Sequence, residues 1–145
     1  MQKWPAPEFE VTTRLDFAAA ISGETAGLVV FGLDYALIGI KKNATGYRLV
    51  MKANLDARSG ALEKETTGID IAGTVVYLRA TVTESGQVRF SHSLDNRRFT
   101  ALGEAFAAKP GLWIGAKVGL FAVAPTAAKR TGHADFGWFR VTPPA

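Results

Sequence analysis

The sequence predicts an all-β fold, an antiparallel β-sandwich, and three observations lead there. Apolar residues recur with period two, as in Phe9, Val11, Leu15 and Phe17, rather than with the 3.6 period of a helix. The periodic runs are short, about ten of them, and Gly, Asn and Asp separate them at turn spacing. Nothing repeats at the ~20–50-residue period of a propeller or solenoid.

Taken in order, residues 9–17 alternate, with Glu10, Thr12, Arg14 and Asp16 on the side opposite the apolar set. Residues 21–27 read as a loop, and Leu28 to Phe31 as a short strand buried on both faces. A turn at 32–34 leads to a strand over 35–42. The Asn43 to Gly46 turn then leads to a strand over 47–52. Residues 54–72 carry charge and little periodicity and predict a strand fragment with a polar loop. A clear strand follows over 74–83, with Val76, Leu78, Ala80 and Val82 facing one way and Tyr77, Arg79 and Thr81 the other. Glu84 to Gln87 is a tight turn that pairs it with 88–94 as a hairpin. Asp95-Asn96 turns again, 99–102 is a short strand, and 105–108 fits a strand or a single helical turn. The last two strands lie in 111–123 and 133–141, where Gly115 and Gly119 leave one face of the first bare.

The bulk numbers bound the function. With 145 residues, 48% of them hydrophobic, the chain predicts one domain over 1–145 with its core in about 9–141. There are no cysteines, which excludes disulfides and thiolate sites. The net charge is +4, but the basic pairs Lys41-Lys42, Arg97-Arg98 and Lys129-Arg130 are scattered, so no nucleic-acid partner is expected. No apolar run reaches membrane-spanning length, and the N-terminus lacks the core of a signal peptide. The expectation is a cytoplasmic protein if the chain is complete.

Catalytic signatures are missing. There is no Gly-x-Ser-x-Gly elbow, and no glycine loop precedes a helix. Most acids sit at turns; Asp16, Glu104 and Asp135 stand out for their apolar neighbours. His92 and His133 share no ligand spacing, so no cofactor is expected. Calcium is conceivable only through Asp135 with Glu8 or Asp16, should the first and last strands pair. These features predict a binding or structural module.

The outward sets of the strands supply the candidate site: Tyr35 with Gly39 and Lys41, Tyr77 with Arg79 and Thr81, and Trp113 with Lys117 and Phe121. Each joins an aromatic ring to a long polar side chain, an arrangement that can stack a sugar ring and bond its hydroxyls. Tyr35, Tyr77, Arg79, Trp113 and Lys117 are therefore the candidate carbohydrate contacts. The competing reading makes the same rings amphipathic filler with local partners. Trp138, flanked by Phe136 and Phe139, is expected in the core, and Trp4 lies in a loose N-terminal segment.

A set of collinear motifs adds to this reading. Leu15-Asp-Phe17, residues 23–30, Asp34-Tyr-Ala36, residues 76–79, residues 90–95, residues 113–122 and residues 134–140 together resemble the C-terminal β-sandwich of family 43 glycoside hydrolases, the β-xylosidases and α-arabinofuranosidases. The resemblance covers about Phe9 to Val141. It implies a concanavalin A-like jelly roll and a non-catalytic accessory module, since in that family the catalytic carboxylates sit on a separate five-bladed propeller. It implies xylan or another plant-type polysaccharide, or a glycoside hydrolase catalytic domain, as partner. A structural or homodimeric domain without sugar binding is the alternative. Three positions depart from the family pattern: His92 stands where Tyr is usual, Asn96 where Gly is usual, and Gly137 where an Asp is common. The last departure leaves Asp135 alone and weakens the case for calcium.

Overall fold

The computed structural model describes residues 2–3, 7–32, 34–55, 60, 62–107, 117–125, 129 and 131–144. Among them, strands are β1 (Gln2–Lys3), β2 (Phe9–Ala18), β3 (Thr25–Phe31), β4 (Tyr35–Lys42), β5 (Tyr47–Asn54) and β6 (Lys64–Ile71). The second half holds β7 (Val75–Val82), β8 (Gln87–Ser93), β9 (Thr100–Ala101), β10 (Phe106–Ala107), β11 (Lys117–Val123) and β12 (His133–Thr142). They form two sheets. One runs β1-β11-β3-β4-β5-β6, the other β10-β8-β7-β2-β12 with β9 attached to β8. Every pairing is antiparallel. The predicted sandwich, with its two sheets and jelly-roll strand order, is the fold of the chain.

Period-two patterning places the core between the sheets. Leu28, Val30, Ile38, Ile40, Leu49 and Val118 face inward from the first sheet. Phe9, Val11, Leu15, Val76, Leu78 and Phe90 face them from the second, all buried. In the first sheet Gly27 and Gly39 are cross-strand neighbours. A Cβ on Gly27 would overlap the Ile38 carbonyl, so only glycine lets β3 and β4 close at this point.

Several elements differ from expectation. The third strand begins at Thr25 rather than Leu28, because the Glu24 carboxylate pins the chain just before it. That carboxylate accepts hydrogen bonds from the backbone N–H groups of Ala20 (2.6 Å), Ile21 (2.9 Å) and Gly132 (2.6 Å). These bonds hold its pKa below the ordinary carboxylate value against the opposing effect of burial. Phe31, expected to be buried, is 43% exposed at the strand's end. Residues 64–71 make a full strand rather than a fragment; it is an edge strand with an exposed pattern, so its sequence carries little periodicity. Residues 106–107 resolve the open choice in favour of a strand.

Trp138 corrects the expectation of a core residue. A β-bulge between Phe136 and Trp138 inserts Gly137 without a partner on β2. The extra residue shifts the alternation, so Phe136, Phe139 and Val141 pack on the core while Trp138 faces outward. The buried Thr13 hydroxyl donates to the Trp138 carbonyl at 2.6 Å and satisfies a group that the bulge takes off the ladder.

Candidate functional site

Sheet pairing sorts the candidate residues onto two opposite faces. Tyr35 and Lys117 lie on the outer face of the first sheet, Tyr77 and Arg79 on the outer face of the second. The thickness of the sandwich separates the two pairs, so they do not form one site. Trp113 lies outside the described residues, as does Trp4.

On the first face, strand register builds rows across β11, β3, β4 and β5. Lys117, Phe31, Tyr35 and Asn54 form one row; Gly119, Val29, Leu37 and Lys52 form the next; Phe121, Gly27, Gly39 and Val50 form the third. The glycines leave a floor on which Phe121 rests, close to Gly39. Phe31 and Tyr35 stack with ring centroids 5.7 Å apart and planes 15° apart. They flank a groove of about 240 Å³ lined by Val29, Phe31, Tyr35, Leu37, Lys52 and Phe121. One wall is polar. The Tyr35 hydroxyl donates to Glu63 at 2.8 Å, and Lys52 pairs with Glu63 at 3.2 Å. Burial and the Glu63 charge push the Tyr35 phenol above its usual value, so it remains a donor at all physiological pH. Farther along this face the cations are compensated: Lys41 pairs with Glu65 (3.3 Å), and Arg48 with Glu65 (3.6 Å) and Asp70 (3.1 Å).

The second face is built on β7, β2 and β12. Arg79, Thr12 and Arg140 stand in one row and Tyr77, Arg14 and Trp138 in the next. The Arg79 guanidinium lies 3.6 Å from the Phe99 ring centroid and donates to the Thr12 hydroxyl at 3.0 Å. The Arg140 guanidinium lies 4.6 Å from the Trp138 ring centroid, and the Tyr77 and Trp138 centroids are 6.1 Å apart.

The remaining singled-out residues do not converge. Asp16 and Asp135 do stand opposite each other, since β2 and β12 pair. Asp16 accepts from the Thr74 hydroxyl (3.1 Å), however, and Asp135 lies 3.6 Å from His133. No three His, Cys, Asp or Glu side chains gather to hold a metal among the described residues. Glu104 sits on a separate cleft of about 480 Å³, lined in part by Met51, Leu55, Thr67, Gly103 and Phe106. Asp95 orders its turn: it accepts from the N–H groups of Arg97 (2.8 Å) and Arg98 (3.0 Å) and the Ser93 hydroxyl (2.8 Å), which bring its pKa down to about 2.

Sequence reasoning missed Phe31, Glu63, Arg14, Trp138 and Arg140. Arg14 was visible as an outward residue of the first strand. Only the pairing of the first strand with the last, through a bulge, brings it beside Trp138.

A family model for the "Beta xylosidase C-terminal Concanavalin A-like domain" matches residues 1–142. No curated protein matches. Among solved structures, the chain is similar to a bifunctional GH43-CE protein of Bacteroides eggerthii at 22% identity and a TM-score of 0.82, covering 96% of this chain and 19% of that one. It is similar to the GH43 protein BlXynB of Bacillus licheniformis at 22% identity and a TM-score of 0.79, covering 96% and 28%. A xylan β-1,4-xylosidase of Bacillus halodurans aligns at 20% identity and a TM-score of 0.77, covering 95% and 28%. The chain thus spans 19–28% of the length of these proteins, and at such identities the likeness concerns the fold.

Proposed function

Since this chain belongs to the family of β-xylosidase C-terminal concanavalin A-like domains, we propose that it is a non-catalytic accessory module of a family 43 glycoside hydrolase and that its Phe31–Tyr35 groove holds a xylan-type chain. The stacked ring pair of this apolar groove, with the Tyr35–Glu63–Lys52 network at its edge, carries this reading. A pyranose has C–H faces that lie on aromatic rings and a rim of hydroxyls that needs hydrogen-bond partners. Xylose has no exocyclic arm, so it can lie low on the apolar floor of Val29, Leu37 and Phe121. Tyr35, Glu63 and Lys52 would bond its rim, with Lys117 at the groove's end. The name of the Bacillus halodurans relative, a xylan xylosidase, supports the choice of sugar.

Calorimetric titration with xylohexaose tests the assignment. Millimolar ligand should give saturable heat, and Tyr35→Ala should weaken binding roughly 3- to 10-fold, the loss of about 0.5–1.5 kcal/mol of ring contact. Tyr35→Phe, which keeps the ring, should weaken it less. Absence of heat, or an unchanged affinity in a folded Tyr35→Ala protein, removes the groove from consideration.

A second reading rests on one observation. Phe31 is 43% and Val123 58% exposed beside the apolar Val29 and Leu37, as in a protein interface. The same face would then dock on a catalytic domain or a second copy. Light scattering separates the readings: a stable dimer that Phe31→Ser dissolves favours the interface, a monomer with heat on xylohexaose the groove.

A further inference from the structure

We propose that the outer face of the second sheet is a separate site for acidic sugars, which recognises the carboxylate of a uronic acid unit on a polysaccharide. The observation is a checkerboard of guanidinium and ring across three neighbouring strands. Arg79, Thr12 and Arg140 alternate in one row, and Tyr77, Arg14 and Trp138 in the row beside it. Adjacent strands lie ~4.8 Å apart, which sets the Arg79 and Arg140 backbones roughly 10 Å from each other with Arg14 between them in the neighbouring row.

No carboxylate among the described residues is bonded directly to these cations. Among the described residues, none of Arg14, Arg79 and Arg140 forms an ion pair. Three acids share this face in the rows on either side and keep their charge, but each is held away from the arginines: Glu10 accepts from the Thr81 hydroxyl (2.9 Å), Asp16 from Thr74 (3.1 Å), and Asp135 lies by His133 (3.6 Å). The contrast with the other face is sharp, since Lys41, Arg48 and Lys52 are all paired there. Arg14 and Arg79 are half-buried and Arg140 exposed, and guanidinium groups held there without a direct ion pair complement an anion.

The packing of the rings chooses the kind of anion. Arg79 already covers Phe99, and Arg140 covers Trp138, so neither ring offers an open platform for a flat base, as a single-stranded nucleic acid would require. Stacking also holds each guanidinium fork in place, and the planar fork matches a carboxylate through two parallel hydrogen bonds. A saturated sugar acid uses the forks for its carboxylate and needs no open ring face for a planar base. This site is independent of the Phe31–Tyr35 groove, which lies on the other sheet.

Gly137 supplies the sharpest variant. A Cβ there would meet no clash and sit in van der Waals contact with Arg14, 3.6 Å from its Cδ and 3.9 Å from its Nη1. An aspartate there would reach Arg14 and neutralise it without removing any side chain of the face. The experiment is calorimetry at low salt in the Tyr35→Ala background, which weakens the groove. The probes are a xylotetraose bearing one glucuronate branch and the unbranched xylotetraose. The branched sugar should bind roughly tenfold or more tightly than the unbranched one, whose residual heat is that of the weakened groove. Gly137→Asp and Arg140→Gln should each weaken binding roughly tenfold or more, about 1.4 kcal/mol, and added salt should weaken it further. Arg140 is exposed, so its variant carries the test if Gly137→Asp fails to fold. Equal affinity for both sugars, or indifference to both variants, overturns the proposal. So does a single-stranded oligonucleotide that binds this face more tightly than the branched sugar. With wild-type protein, xylotetraose reports on the groove alone, so the failure of either site is distinguishable from failure of the other.

Discussion

His92 is a polar residue turned toward the core. It follows Val88 and Phe90 on the inward side of β8, opposite Leu78, and its Nδ1 is buried without a hydrogen-bond partner among the described residues. Burial pushes its pKa below the usual histidine value; a hydrogen bond to the Thr100 backbone works the other way and does not offset it. The consequence for stability has a definite sign. As pH falls through about 6.5, the unfolded chain takes up a proton that the folded chain refuses, so stability declines until the lowered folded pKa is reached, and then levels. Glu24 and Asp95 titrate lower still, below the ordinary carboxylate range, and leave this window to histidine. The resembled family carries Tyr at this place, which suggests the variant. His92→Tyr should melt at or above the wild-type temperature at pH 7.5, and the gap should widen at pH 5.5. A melting series across that range checks it, and a gap that narrows on acidification would show that the buried imidazole is not the cause.

At the scale of elements, β12 decides the chemistry of a whole face through one inserted residue. Strict alternation from Ala134 would send Trp138 inward and Phe139 outward, and the sequence predicts that arrangement because Phe, Trp and Phe look alike to a hydrophobic count. The bulge at Gly137 reverses both residues. Its signal in the sequence is a glycine inside a strand, together with Thr13, a polar residue among the inward positions of β2. Thr13 is fully buried, and its hydroxyl is bonded to the Trp138 carbonyl. Thr13→Val keeps the volume and removes that bond, leaving a carbonyl unsatisfied. The expected cost is about 1–3 kcal/mol, together with a looser Trp138. Urea denaturation measures the first, and Trp138 indole exchange by NMR the second. A stability change within ~0.3 kcal/mol would mean the bulge holds without the threonine.

For the whole molecule, the sandwich was legible because its cause is repeated in nearly every strand: alternation points residues such as Leu28, Ile38, Val76 and Leu78 to one interior. The binding faces were not, because a face is a product of register between strands distant in sequence. Tyr35, Tyr77, Arg79 and Lys117 were each recognised as outward, yet alternation alone does not say which sheet a strand joins. Gly137 also gains a meaning: read as a lost acid beside Asp135, it is in space the position next to Arg14. The two-sheet arrangement has its own testable consequence. Sheets pack ~10 Å apart, and the layer between them is apolar apart from inward residues such as Thr13 and His92, with no polar chain linking Tyr35 to Arg140 among the described residues. Substitutions on the two outer faces share no partner, so their effects on folding should add. The double variant Tyr35→Ala/Arg140→Gln should lose the sum of the single losses to within about 0.5 kcal/mol. Saturating either face with its sugar should leave the affinity of the other unchanged. Urea denaturation of the four proteins and titration of the presaturated protein measure both. A coupling above ~1 kcal/mol would mean that strain passes through the core, and the faces would then have to be treated as one linked site.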